Sequence, residues 1–449
     1  MRPGNEAKER GQGMDSIVRG STGQEAQDRP DDPATPVRAR RVFYIPGYDP
    51  IHPRRYRELY RKESAAQAEL SSYRISLQPQ VPARKGAGQR PYGWQVTGEI
   101  DGQRVQTEFS VLVWSDIVRD SMDASIVGTY LQLIRTAWIY IASGTLGCLM
   151  QLRKGPVIAA LYPVGMLLVQ ALLALLLLWA CGAAWAAAMA RLMGQVPWFA
   201  LLPGWGVGVV AAGALLRWFK QQDGKFFAYY LMHDYAYSAA SRGENPPELE
   251  ARIAAFKQEI AAALAAGDID EILVVGHSSG AHVGVSVLAD LIREGLPETC
   301  PEIGFLTLGQ VVPMVSFLPR ASRLRSDLQY LSRRDEIAWI DVSAPGDGCA
   351  FALCDPVAVS GVAPAGKRWP LVFSAAFTQT LSPARWAALR WRFFRLHFQY
   401  LCAFDQPGDY DYFRITAGAQ TLRQRYKTRR ASASRIDVPV SKYTSVSPE

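Results

Sequence analysis

The chain has 449 residues and a net charge of +8, a length that accommodates one large domain of roughly 300 residues with further segments attached. No nucleic-acid recognition motif accompanies that charge, so nucleic acid is not an expected partner, whereas the anionic lipid of a membrane face is. The six cysteines, at 148, 181, 300, 349, 354 and 402, form no C-x-x-C pair and no zinc-ligand spacing, and there is no Gly-rich phosphate loop, so no metal, disulfide or other cofactor is expected.

Residues 1–39 are polar, rich in Gly, Pro, Asp, Arg and Gln, and lack an apolar h-region, which predicts a disordered leader and not a signal peptide. Residues 40–125 are expected to form the N-terminal part of an α/β domain. They open with a strand and loop, Arg41-Val42-Phe43-Tyr44-Ile45-Pro46-Gly47-Tyr48-Asp49, followed by a helix over 52–70. The runs 94–100 and 104–114 flank Asp101-Gly102 as a β-hairpin.

Residues 126–225 depart from this soluble pattern. The stretch 126–150 is apolar but contains Arg135, and an interfacial or buried amphipathic helix is expected there. No charged residue lies between Lys154 and Arg191, nor between Arg191 and Arg217. A helix needs about 20 apolar residues to cross the hydrocarbon core, so membrane spans are expected near 160–186 and 197–217, joined by a tight turn. The alternative, an apolar lid on a soluble protein, would leave an unbroken run far too apolar for a monomer in water. Arg153 and Lys154 precede the first span, Arg217, Lys220 and Lys225 follow the second, and only Arg191 lies between. This asymmetry places both ends in the cytoplasm, and the expected location is a bacterial inner membrane.

Residues 226–422 are expected to complete the domain. A helical pattern runs over 248–266 and closes at Gly267, a short apolar strand follows at 271–277, and a second helix begins at Ala281 and ends at Gly295. Between strand and helix stands Gly276-His277-Ser278-Ser279-Gly280, a G-x-S-x-G motif in the context of a nucleophile elbow. In that device a serine occupies a strained strand-to-helix turn, and residues two before and two after it must be tiny. Gly276 and Gly280 are. Further strands are expected at 303–308, from 337, and at 370–377; the tail 423–449 begins with a basic cluster and is expected to be disordered.

A serine hydroxyl is a weak nucleophile and needs an imidazole to take its proton, a carboxylate to orient that imidazole, and N–H donors for the oxyanion. There are five histidines, His52, His233, His277, His282 and His397. His277 and His282 belong to the elbow and its helix, where they are poorly placed to reach Ser278. With the partners in the order serine, acid, histidine, His397 is the remaining candidate for the base. The acid is expected near the Pro-Gly turn after the strand at 337, and Asp347 is the first choice, with Asp341 and Asp355 as alternatives. The N–H groups of Ser279 and Tyr48 are the candidate oxyanion donors.

The elbow Gly276–Val283, the loop Phe43–Asp49, the turn Trp339–Asp347 and the segment His397–Leu401 together resemble the α/β-hydrolase superfamily of serine hydrolases, on its lipase and esterase side. The similarity covers about 41–114 and 225–420. It implies a mostly parallel sheet with helices on both faces, and catalytic roles for Ser278, Asp347, His397, Tyr48 and Ser279. The chain departs from the family in reading Pro46-Gly47 where many relatives carry His-Gly, and in the long apolar insertion. The expected function is cleavage of an ester or thioester of an apolar or lipid-like substrate. Acyl transfer by the same residues and a silent, hydrolase-like membrane scaffold are the alternatives.

Overall fold

The computed structural model describes residues 36–48, 52–79, 91–114, 116–117 and 125–447; the expected leader, up to residue 35, lies outside them. Eight strands form one sheet: β1 (Ala39–Ile45), β2 (Arg74–Pro79), β3 (Gly93–Ile100), β4 (Gln103–Val111), β5 (Glu271–His277), β6 (Glu302–Leu308), β7 (Ile337–Ser343) and β8 (Leu371–Ser374). Their order is β2-β3-β4-β1-β5-β6-β7-β8. β3 runs antiparallel to both of its neighbours, and every pairing from β4 to β8 is parallel. The hairpin turns at Asp101 and Gly102, both at positive φ, as a tight two-residue connection requires.

Successive side chains on a strand face opposite sides of the sheet, and here each side meets its own core. Ile272 and Val274 of β5 pack with helices Pro247–Ala266, Gly280–Glu294 and Ser322–Leu331. Leu273 and Val275 pack on the other side with helix Arg54–Ser71 and with Leu396, Tyr400 and Phe413. A strand covered on both faces gains nothing from alternation, which is why β5 is one apolar run and is buried along its whole length.

The apolar insertion leaves β4 at the end of the sheet where β1 and β5 also finish, because all three strands are parallel. Its first helix, Ile126–Ala142, is capped by the Ser125 hydroxyl. Then comes a 40-residue helix, Lys154–Met193, that ends where Gly194 adopts φ +71. A 3-10 turn, Trp198–Leu201, leads into Leu202–Gln221. Both long helices are apolar enough to cross a membrane, with mean hydropathy of 2.4 and 1.9. They pack as an antiparallel pair with Gly182 against Trp205, Gly204 against Trp185 and Gly208 against Leu178, small residues admitting close backbone approach.

The first of these helices is longer than the span expected at 160–186: it runs on through the interior Pro163 and ends only at Gly194. At 1.5 Å per residue it extends about 60 Å, twice the hydrocarbon thickness. Its N-terminal end is anchored on the α/β domain, where Leu149, Leu152 and Val157 join Met314, Phe317 and Phe351. Helix Ala228–Ala240 follows the hairpin and returns the chain to the domain.

Two expectations need correction. The strand foreseen at 370–377 is only Leu371–Ser374, because Ala376 adopts φ +47 and the chain turns into Phe377–Thr380. The tail foreseen as disordered is tied to the domain as far as Val446. Ile436 N–H donates to the Leu353 carbonyl at 2.7 Å, Val440 N–H to Val359 at 3.0 Å, and the Arg325 guanidinium to the Ser445 carbonyl at 2.7 Å. Its polar composition concealed this order because the bonds are made by backbone groups.

Candidate active site

Ser278 lies between β5 and helix Gly280–Glu294 and adopts φ +54, the left-handed conformation that a residue with a Cβ takes only under strain. Its N–H donates to the Leu308 carbonyl at 2.9 Å, which holds the turn against β6. The flanking glycines answer to contacts. A Cβ at Gly276 would lie 2.8 Å from the Ala281 Cα, and one at Gly280 would penetrate the carbonyl oxygens of Ile45 and Pro46. A Cβ at Gly47 would lie 2.9 Å from the Ser278 Cβ, so the loop after β1 runs directly beside the serine.

Asp347 and His397, 50 residues apart, are brought together: His397 Nδ1 lies 2.7 Å from Asp347 Oδ2. A carboxylate accepts, so Nδ1 carries the proton and the lone pair falls on Nε2. That atom is buried and has no hydrogen-bond partner. Asp347 is further bonded by the Tyr400 hydroxyl at 3.0 Å and the Cys349 N–H at 2.9 Å. Tyr400 in turn accepts from Ala344 N–H at 2.9 Å, and burial beside Asp347 pushes its phenol well above the usual range, so it remains a donor.

His277, adjacent to Ser278, ties His397 to the strand-to-helix turn. Its Nε2–H donates to the His397 carbonyl at 3.1 Å, and the two rings are 4.8 Å apart. Burial and the neighbouring His397 depress its pKa to about 3, so it stays neutral with its proton on Nε2. Burial also lowers the pKa of His282, to about 4. No hydrogen bond joins Ser278 to His397; the serine is half-buried and its hydroxyl lies beside Gly47.

The loop of Tyr48 is oriented from two sides. The Trp114 indole N–H donates to the Pro46 carbonyl at 3.0 Å, and the Tyr230 hydroxyl donates to the Tyr48 carbonyl. The Tyr48 N–H, an expected oxyanion donor, is engaged by the Ser279 hydroxyl at 3.2 Å. That contact is long for a hydrogen bond, and it sets the two expected donors side by side.

The alternative acids lie elsewhere. Asp341 is fully buried on β7, where Thr307 donates to it at 2.6 Å, and burial raises its pKa to about 7. Asp355 caps the turn Pro356–Val359 through Val357 and Ala358 N–H and pairs with Lys367. Neither bonds to His397.

Asp234 escaped the sequence reading. It sits on helix Ala228–Ala240 between Tyr230, which bonds the Tyr48 carbonyl, and Tyr237, whose ring is 5.4 Å from that of Tyr48. Phe227 and Tyr230 of the same segment meet Phe394, one turn before His397. Burial raises the Asp234 pKa to about 7, against the opposing influence of His397. No local pattern signals Asp234, Tyr230, Trp114 or Tyr400, because each acts through a contact distant in sequence.

Asp347, Cys349 and His397 each offer one potential metal-ligating atom within 4.8 Å of the others. The 2.7 Å contact between carboxylate and imidazole is a hydrogen bond, closer than two ligands of one tetrahedral ion stand, and burial pushes the Cys349 thiol up, away from the thiolate a metal requires. The donor set fits a hydrogen-bonded pair and not a metal centre.

Compared with protein-family models, with curated proteins and with solved structures, the chain matches none.

Proposed function

We propose that this protein is a membrane-anchored serine hydrolase of α/β-hydrolase type, acting on an ester or thioester with an apolar acyl group. The observation that carries the reading is a serine at positive φ on a strand-to-helix turn, next to a buried Asp347–His397 pair whose Nε2 is unpartnered. In this mechanism Ser278 Oγ attacks the carbonyl carbon as His397 Nε2 takes its proton. Asp347, held by Tyr400 and Cys349, stabilises the resulting imidazolium. Negative charge develops on the carbonyl oxygen, near the N-terminal end of helix Gly280–Glu294, where the Ser279 N–H meets it. The Tyr48 N–H becomes the second donor once the Ser279 hydroxyl turns away. His397 then protonates the leaving oxygen or sulfur, and water activated by His397 breaks the acyl–Oγ bond.

The apolar preference draws on Phe227, Tyr230 and Phe394 beside the site and on an insertion that joins it to two long apolar helices. β1 and β5 are paired neighbours flanking the hairpin in sequence, so an even number of crossings leaves the sheet whole. The basic residues at the open end of the hairpin favour the cytoplasmic side.

A second reading, a hydrolase-like binding protein with a silent serine, draws on the engaged Tyr48 N–H and the absence of a Ser278–His397 bond. A panel of ester and thioester substrates of increasing acyl length separates the two. The wild type should turn over the longer chains and Ser278→Ala none, whereas equal rates for both proteins would favour the silent scaffold.

A further inference from the structure

Helix Ile126–Ala142 presents two unlike faces. Leu133, Thr136, Ile139 and Tyr140 are buried against helix Ala228–Ala240 and its neighbours. Val127, Leu131, Ile134, Trp138 and Ile141, at alternating spacings of four and three, form an exposed stripe, with Trp138 at 70% exposure. The stripe is not isolated. The Tyr130 hydroxyl bonds the Leu167 carbonyl at 2.9 Å, and Ile158, Leu161 and Leu168 of the long helix are exposed as well. The apolar surface of the hairpin thus continues onto this helix, and the bilayer that covers one covers the other.

Between this helix and Ala228–Ala240 lies a cavity of about 190 Å³. It is lined at helical spacing by Gln132, Arg135, Thr136 and Ile139 on one side and by His233, Ala236, Tyr237 and Ala240 on the other. His233 is only 3% exposed, yet its Nδ1 has no hydrogen-bond partner, and the Gln132 Oε1 is likewise buried and unpaired. The Tyr237 hydroxyl is a third such atom; an unmade bond at a buried polar atom costs about 1–3 kcal/mol, so three on the residues lining one cavity point to an occupant. Arg135 stands at the rim, its guanidinium donating to the Ala240 carbonyl at 3.1 Å, with no acidic partner among the described residues.

We propose that this cavity binds the headgroup of an anionic glycerophospholipid drawn from the bilayer. The phosphate pairs with the Arg135 guanidinium and accepts from the His233 imidazole, and a headgroup hydroxyl donates to Gln132 Oε1. The acyl chains follow the stripe of Leu131, Ile134 and Trp138 into the membrane. An apolar ligand would leave Arg135, His233 and Gln132 unmatched, and a soluble phosphate would leave the stripe uncovered. The proposal needs the hairpin to lie in a bilayer but not a reactive serine, so its failure and that of the hydrolase reading are separable.

The test uses the full chain carrying Ser278→Ala, purified in detergent, with native mass spectrometry reading lipid retention. Phosphatidylglycerol is titrated against phosphatidylcholine, with soluble glycerol 3-phosphate as competitor. One phosphatidylglycerol should be retained at least tenfold more tightly than phosphatidylcholine, and glycerol 3-phosphate should not displace it. Arg135→Gln on the exposed rim, and independently Gln132→Leu, should each remove most of that preference. Equal retention of the two lipids, unchanged retention in both variants, or displacement by glycerol 3-phosphate at comparable concentration would overturn the proposal.

Discussion

His397 donates through Nδ1 to Oδ2 of Asp347 at 2.7 Å, and the same oxygen receives the Tyr400 hydroxyl at 3.0 Å. One carboxylate oxygen therefore fixes the imidazole's tautomer while a second donor fixes the carboxylate. Asp347→Asn should lower kcat by about 10⁴, because an amide can present an N–H where an acceptor is needed. Tyr400→Phe should cost less, about tenfold, since the carboxylate and its Cys349 N–H bond remain. Steady-state kinetics on both variants, with circular dichroism to check the fold, gives the ranking; a more damaging Tyr400→Phe would contradict it.

Asp341→Asn should leave activity within a few fold and instead alter the pH dependence of stability. Its folded pKa, about 7, is raised above the ordinary 3.8 by burial. The neutral form is therefore favoured by folding. The contribution is fully present below pH 3.8, declines as pH rises, and is lost through pH 7. The wild type should lose stability relative to Asp341→Asn between about pH 4 and pH 7, by at most on the order of 4 kcal/mol. Thermal melts of both proteins at pH 5 and pH 8 measure this, and a constant difference in Tm would count against the assignment.

Burial raises the Asp234 pKa to about 7, so its carboxyl is neutral below that pH and anionic above it. If that ionisation is felt at the site, the kcat/KM profile of the wild type should show an inflection near pH 7 that is lost in Asp234→Asn. An identical profile for both proteins around pH 7 would place the carboxylate too far away to act.

Ser279→Ala keeps the backbone N–H and frees that of Tyr48 from the Ser279 hydroxyl. Activity should stay equal or rise a few fold. Gly47→Ala, by contrast, sets a methyl group 2.9 Å from the Ser278 Cβ and should reduce kcat by about 10² or more through displacement of the nucleophile. If Ser279→Ala abolishes turnover, the hydroxyl has a positive role that the geometry does not reveal.

The strand-to-helix turn at Ser278 was legible because its constraints are local: a short apolar run, two glycines that must lack a Cβ, and a serine between them. Histidine scarcity singled out His397 and the Pro-Gly turn Asp347, and the fold brings these two within hydrogen-bond distance. Asp234, Trp114 and Tyr230 were not legible, since Tyr230 meets Tyr48 across 182 residues of sequence and leaves no periodicity. The hairpin's apolar runs marked its existence, but its extent awaited Gly194, where a positive φ ends the first helix. The tail misled because composition reports side-chain polarity, whereas Ile436 and Val440 are held through backbone bonds.

The hairpin also sets a topological expectation. Single cysteines at Glu69 and Ser434, exposed on either side of it in sequence, should react with an impermeant maleimide only after cell lysis, and one at Gln195 in the exposed turn should react in intact cells. Labelling of Glu69→Cys and Ser434→Cys on opposite sides would require an odd number of crossings, which the pairing of β1 with β5 does not allow.

The central claim is that Ser278 is a nucleophile activated by His397. Treating the purified protein with a fluorophosphonate and mapping the adduct by peptide mass spectrometry tests it directly. The account predicts one modified residue, Ser278, with labelling lost in Ser278→Ala and strongly slowed in His397→Gln. No adduct on the folded wild type, or an adduct on Ser279 instead, would contradict it.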